Sequence, residues 1–80
     1  MQTAEQLTKL RWRCRRGMLE LDVILQKFFE TRYERLPGYL QDKFVKLLEL
    51  EDPVIYAWLV DHEPVEIFYE EIVQVIKKNI

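Results

Sequence analysis

Two glycines and three prolines are the only strong backbone punctuation in this chain, and they stand at Gly17, Pro37, Gly38, Pro53 and Pro64. Many short strands joined by tight turns need more turn residues than that. The stretches between them carry apolar residues mostly at three- and four-residue intervals, which places them along one face of a helix. The pattern therefore predicts an all-α, compact five-helix bundle. With 80 residues there is too little core for a second unit, so a single domain over residues 1–80 is expected.

Each helix has its own signals. Thr3 with Gln6 makes a capping-box pattern, which starts helix one at about Ala4 and runs it to Cys14. Helix two is expected from about Gly17 to Phe29, with Met18, Leu21, Leu25 and Phe28 inward and Leu19, Ile24 and Phe29 widening that face. Residues Thr31 to Gly38 read as a loop, with Pro37 at or near the first turn of helix three, which covers about Tyr39 to Leu50. Asp52-Pro53 is the sharpest boundary: Asp is a strong N-cap and Pro suits the first helical position. Helix four then runs from Pro53 to about Val60. Helix five runs from about Val65 to Lys78, with Phe68, Ile72, Val75 and Ile76 on one side and Lys77 and Lys78 facing the negative end of its dipole.

Chemistry of the chain's own is hard to assemble from these residues. His62 is the only histidine and Cys14 the only cysteine. A lone histidine by a helix end reads as a solvated or capping residue, and a lone cysteine on an apolar stripe as a buried structural thiol. One of each does not make a usual zinc site, and isolated glycines do not make a phosphate-cradling loop. Glu70 and Glu71 are adjacent and point apart, as on a solvated helix face. No stable cofactor and no enzymatic activity are expected. No stretch approaches the ~20 apolar residues of a membrane span. The opening MQTAEQLTKLRW lacks the apolar run of a secretory signal and the serine-rich character of a mitochondrial presequence, and one cysteine forms no disulfide framework. A bacterial cytoplasm is the expected location.

The net charge of −2 hides an asymmetry: residues 1–46 carry ten Lys/Arg against six Asp/Glu, residues 47–80 two against eight. Such a split favours a protein partner with complementary patches. The basic excess concentrates in Lys9, Arg11, Arg13, Arg15 and Arg16, five cations within eight positions. Like charges one turn apart weaken a helix, so local propensity does not demand this run. Gly17 follows it, where a residue able to take positive φ can turn the chain and let another backbone approach. Glu20 lies four residues after Arg16. If helical geometry starts early, the two side chains reach outward at the same corner. An exposed pair of that kind contributes under about 1 kcal/mol, so stability is a weak reason for having it. Asp22 adds an acid near the start of helix two.

Arg16-Gly17-Met18-Leu19-Glu20 resembles the RGxxE motif of the succinate dehydrogenase assembly factors, the SdhE proteins of bacteria. The surrounding CRRGMLELD, the apolar stretch ending in Phe28-Phe29, and LLELEDPVIYAWL at 47–59 are similar to the same family, so the likeness spans roughly residues 9–60. The resemblance implies a five-helix bundle that binds the flavoprotein subunit of succinate dehydrogenase, and in bacteria also that of fumarate reductase. It implies a chaperone that promotes covalent attachment of FAD to a histidine of that client, FAD being the client's cofactor. It places Arg16, Gly17 and Glu20 at the client contact; from their positions beside that corner, Arg15 and Asp22 are second-rank candidates. The factor is expected to be monomeric when free.

Two other readings use the same basic run. One is a small helical nucleic-acid-binding module, with Trp12 interleaved as a base-stacking ring. The sequence pI near 5.4 and the acidic second half weigh against it. The other is an antitoxin-like regulatory module, for which no residue speaks.

Overall fold

A computed structural model describes residues 3–80; the first two positions of the expected 1–80 unit lie outside the described residues. Five α-helices follow one another: α1 (Ala4–Arg13), α2 (Leu19–Arg32), α3 (Gly38–Leu48), α4 (Asp52–Leu59) and α5 (Glu70–Lys78). Single 3-10 turns at Tyr33–Arg35 and Ile67–Tyr69 precede α3 and α5. No strand occurs among the described residues. The all-α bundle expected from the punctuation is the fold observed.

Local chemistry explains the ends. The capping box forms as the sequence predicts: Thr3 Oγ1 accepts from the Gln6 amide at 3.2 Å, and Gln6 Oε1 accepts from the Thr3 amide at 2.9 Å. Lys77 and Lys78 occupy the last turn of α5, and Glu70 and Glu71 the first, so both ends suit the helix dipole. His62 lies exposed beyond α4 with φ +56°, in the left-handed region.

Apolar faces of all five helices meet in one core. Its aromatic centre is Phe28, Phe29, Tyr33 and Phe44, with ring centroids 5.2–6.5 Å apart. Rings at these separations interlock in offset or tilted contacts and hold α2 against α3. Leu21, Leu25, Ile55, Leu59, Ile72 and Ile76 close the core around them, each essentially without exposed surface. α5 packs on α3 and α4, and α2 on α4. The Tyr39 hydroxyl donates to Glu71 at 2.6 Å, which adds a polar latch from α3 to α5 and raises the phenol's pKa.

The differences from expectation have physical causes. α2 starts at Leu19 rather than Gly17, because the chain needs residues 14–18 to turn. Its phase is set by Leu21, Leu25 and Phe28, and at 100° per residue Leu19 then falls on the opposite side. Leu19 is 81% exposed and does not widen the core face. The segment expected to be a loop from Thr31 continues as helix to Arg32 and then tightens into a 3-10 turn, which buries Tyr33. Pro37 sits one position before α3, as its N-cap residue. Glu51 rather than Asp52 is the N-cap residue of α4; Asp52 enters the helix, and its carboxylate is used elsewhere. α5 begins at Glu70, so Phe68 lies in the preceding 3-10 turn, part-exposed under the Lys43 and Lys46 ammonium groups instead of in the core.

Candidate functional site

The corner between α1 and α2 carries every residue the motif singles out. α1 ends with Cys14 as its C-cap, buried completely. Burial pushes the Cys14 thiol up to about 12, and the nearby Arg16 only partly offsets this. The group is a protonated, inert core side chain at neutral pH, not a nucleophile.

Residues 15–18 then reverse the chain, and Gly17 makes this possible with φ +84°. A Cβ placed on Gly17 meets nothing within 4 Å. The glycine is therefore required by the backbone angle, while the space beside it stays open. Asp22, in the first turn of α2, locks the turn. Its Oδ1 accepts from the Arg16 amide at 2.6 Å and its Oδ2 from the Gly17 amide at 3.2 Å. One carboxylate thus satisfies two consecutive backbone donors that the reversal would otherwise leave without a helical partner.

Arg16 points the other way from expectation. Its Nε donates to Asp52 Oδ1 at 2.7 Å, Nη1 to the Leu48 carbonyl at 2.7 Å and the Arg13 carbonyl at 3.0 Å, and Nη2 to the Leu50 carbonyl at 2.7 Å. The side chain is only 14% exposed. One guanidinium caps the carbonyl ends of α1 and α3 and pairs with the first residue of α4. Each contact places positive charge where a helix dipole is negative, or beside a carboxylate. The planar fork of arginine fits this arrangement; a lysine point charge does not. The outward Arg16–Glu20 pairing is not formed. Helical geometry does not begin until Leu19, so the two residues never share a helix face.

Glu20 is exposed and has no partner among the described residues. Arg15 is also exposed, with its guanidinium carbon 5.3 Å from the centroid of the Trp12 ring. The rest of the basic run is partly neutralised within the chain: Lys9 pairs with Glu5 at 3.8 Å and Arg11 with Glu30. Of five clustered cations, Arg13 and Arg15 alone lack an ion pair or an inward role among the described residues. A run reduced in this way offers phosphates far less than its sequence suggests.

Asp52 is the counter-ion of Arg16, and no local sequence signal points to it. The two are 36 positions apart, and Asp52-Pro53 already had a sufficient explanation as a helix start. No cluster of three or more His, Cys, Asp or Glu side chains able to hold a metal occurs among the described residues. Nor is any helix there long and apolar enough to cross a membrane.

The family model described as "Flavinator of succinate dehydrogenase" matches residues 8–80. The chain belongs to that family. Among its curated relatives is the FAD assembly factor SdhE of Vibrio cholerae, 52% identical over 62 residues that cover 78% of this chain and 72% of the relative. The SdhE of Shewanella oneidensis is 47% identical over 57 residues, covering 71% and 70%. That of Coxiella burnetii is 46% identical over 54 residues, covering 68% and 66%. The family that the RGxxE motif resembled is thus the family to which the chain belongs.

Proposed function

We propose that this protein is an assembly factor that binds the flavoprotein subunit of succinate dehydrogenase and promotes its covalent flavinylation. It does so without catalysing a reaction of its own, and FAD stays with the client. Fumarate reductase's flavoprotein is a second client of the same kind. The factor is a monomer when free of its client, and its place is the bacterial cytoplasm.

The observation that carries this reading is the membership of the family together with the make-up of the α1–α2 corner. An open glycine backbone and an unpaired carboxylate stand on a turn fixed by Asp22 and Arg16. A rigid, partly unsatisfied surface favours docking, because little ordering entropy remains to be lost on binding. In this reading Gly17 lets the client's backbone come close and Glu20 makes charge-assisted hydrogen bonds across the interface. Arg15 contributes at the rim, while Arg16 and Asp22 hold the contact surface in shape. Holding client domains where the client's own histidine meets the flavin lowers the barrier by placement, an effect that reaches several kcal/mol in favourable cases (roughly 7–11 at best).

The test uses purified apo-flavoprotein, FAD and the full chain, with covalent flavin read by in-gel fluorescence. The wild-type chain accelerates attachment. Glu20→Ala, folded by circular dichroism, slows it at least about ten-fold, the scale of a lost interfacial hot spot. Full flavinylation by folded Glu20→Ala and Gly17→Leu variants rejects the corner as the working surface.

A further inference from the structure

Three large apolar side chains lie exposed around the α1–α2 corner without an internal purpose. Trp12 is 65% exposed, Leu19 81% and Val23 56%. Leu19 and Val23 share one face of α2 with Gln26 and Glu30, since positions 0, 4, 7 and 11 fall within about 60° of arc on a helix. Gln26 and Glu30 in turn line a shallow cleft of about 200 Å³ with Arg11, Trp12 and Arg15 of α1. Gln26 and Glu30 thus join the Leu19–Val23 face of α2 to the cleft that holds the Trp12 ring. Phe68 has two lysines over it and Tyr39 is tied to Glu71, whereas Trp12 has Arg15 alone and stays 65% exposed.

We propose that Trp12, Leu19 and Val23 are the apolar centre of the docking surface and seat an apolar segment of the flavoprotein subunit flanked by carboxylates. This rests on the function proposed above and adds the residues that supply its affinity. Interfaces draw most of their binding energy from a few central aromatic and apolar anchors, ringed by polar groups that exclude water. The ring here is Glu20 on one side and the basic side chain of Arg15 on the other. Arg15 lacks a carboxylate partner among the described residues, so the partner surface that meets it is acidic. Arg15 stacked over Trp12 leaves the indole's opposite face for the partner.

The test measures equilibrium binding of the full chain to the apo-flavoprotein subunit. The comparison is between wild type, Trp12→Ser, Leu19→Ser with Val23→Ser, Arg15→Glu, and Ile67→Ser as an equally exposed apolar control. All positions are at the surface, and circular dichroism confirms folding. The expected result is at least about ten-fold weaker binding for the Trp12 and Leu19/Val23 variants and none for Ile67→Ser. Arg15→Glu weakens binding by a factor that shrinks as salt rises. In chains carrying 5-fluorotryptophan, the fluorine resonance of Trp12 shifts on binding while that of buried Trp58 stays. Unchanged binding by the Trp12 and Leu19/Val23 variants, or an equal loss with Ile67→Ser, overturns the inference while leaving the proposed function standing. So does loss of self-association alone, which assigns the patch to a second copy. Absence of binding by the wild-type chain rejects the proposed function itself, and the inference with it.

Discussion

On the inner side of the α1–α2 corner the Arg16 guanidinium makes four hydrogen bonds and is nearly closed off from solvent; on the outer side, four residues along, Glu20 is exposed and unpartnered. One motif supplies both, and the contrast separates two tasks that the motif's spelling merges. The arginine spends its charge inside the molecule, joining the ends of three helices. The glutamate keeps its charge available. A residue of the motif can thus be essential to binding without touching the partner, by keeping the contact surface in one shape.

This contrast can be broken at four points, in falling order of expected effect on stability. Arg16→Ala leaves the Asp52 carboxylate and the Leu48 and Leu50 carbonyls unsatisfied. It is expected to cost about 3 kcal/mol, from a total of roughly 4–12 for a chain this size. Thermal unfolding followed by circular dichroism should drop by on the order of 15 °C, and Arg16→Lys should recover only part. A loss below about 0.5 kcal/mol would show that the inward network is ornamental. Asp22→Ala strips two backbone amides of their acceptor and should cost about 2 kcal/mol in denaturant unfolding.

Gly17→Ala should cost about 1 kcal/mol through its backbone angle alone, because the added methyl meets no neighbour. A synthetic chain with D-alanine at that position should regain this stability; if it does not, crowding rather than φ governs the site. Glu20→Ala, last, should shift stability by less than about 0.5 kcal/mol while removing most of the flavinylation effect. The same ranking for stability and for activity across all four variants would erase the division between inner and outer roles.

The sequence was most informative where structure depends on neighbours. The Thr3–Gln6 capping box, the lysines at the end of α5 and the breaks at Gly17, Pro37, Pro53 and Pro64 are local, and five helices follow from them. It was least informative where one residue of phase or a distant contact decides. Leu19 reads as core when it is grouped with Leu21, yet two residues are more than half a helical turn, so the phase that buries Leu21 and Leu25 turns Leu19 to solvent. Tyr33 becomes core because a 3-10 turn swings it inward beyond the end of α2. For the site, Gly17 and the outward Glu20 were legible from chirality and charge. The inward turn of Arg16 was not, because its partners at Leu48, Leu50 and Asp52 lie more than thirty residues on. No window of helical periodicity reaches that far.

Those long-range contacts have a consequence for when the protein becomes competent. Leu48, Leu50 and Asp52 must all be in place before the Arg16 side chain can complete its inward contacts. Before residue 52 is delivered, Asp22 can already hold the turn, but no Arg16 contact yet ties that corner to α3 and α4. The bundle thereby delays its own readiness: a client meets a shaped surface only after the second half of the molecule has folded onto the first.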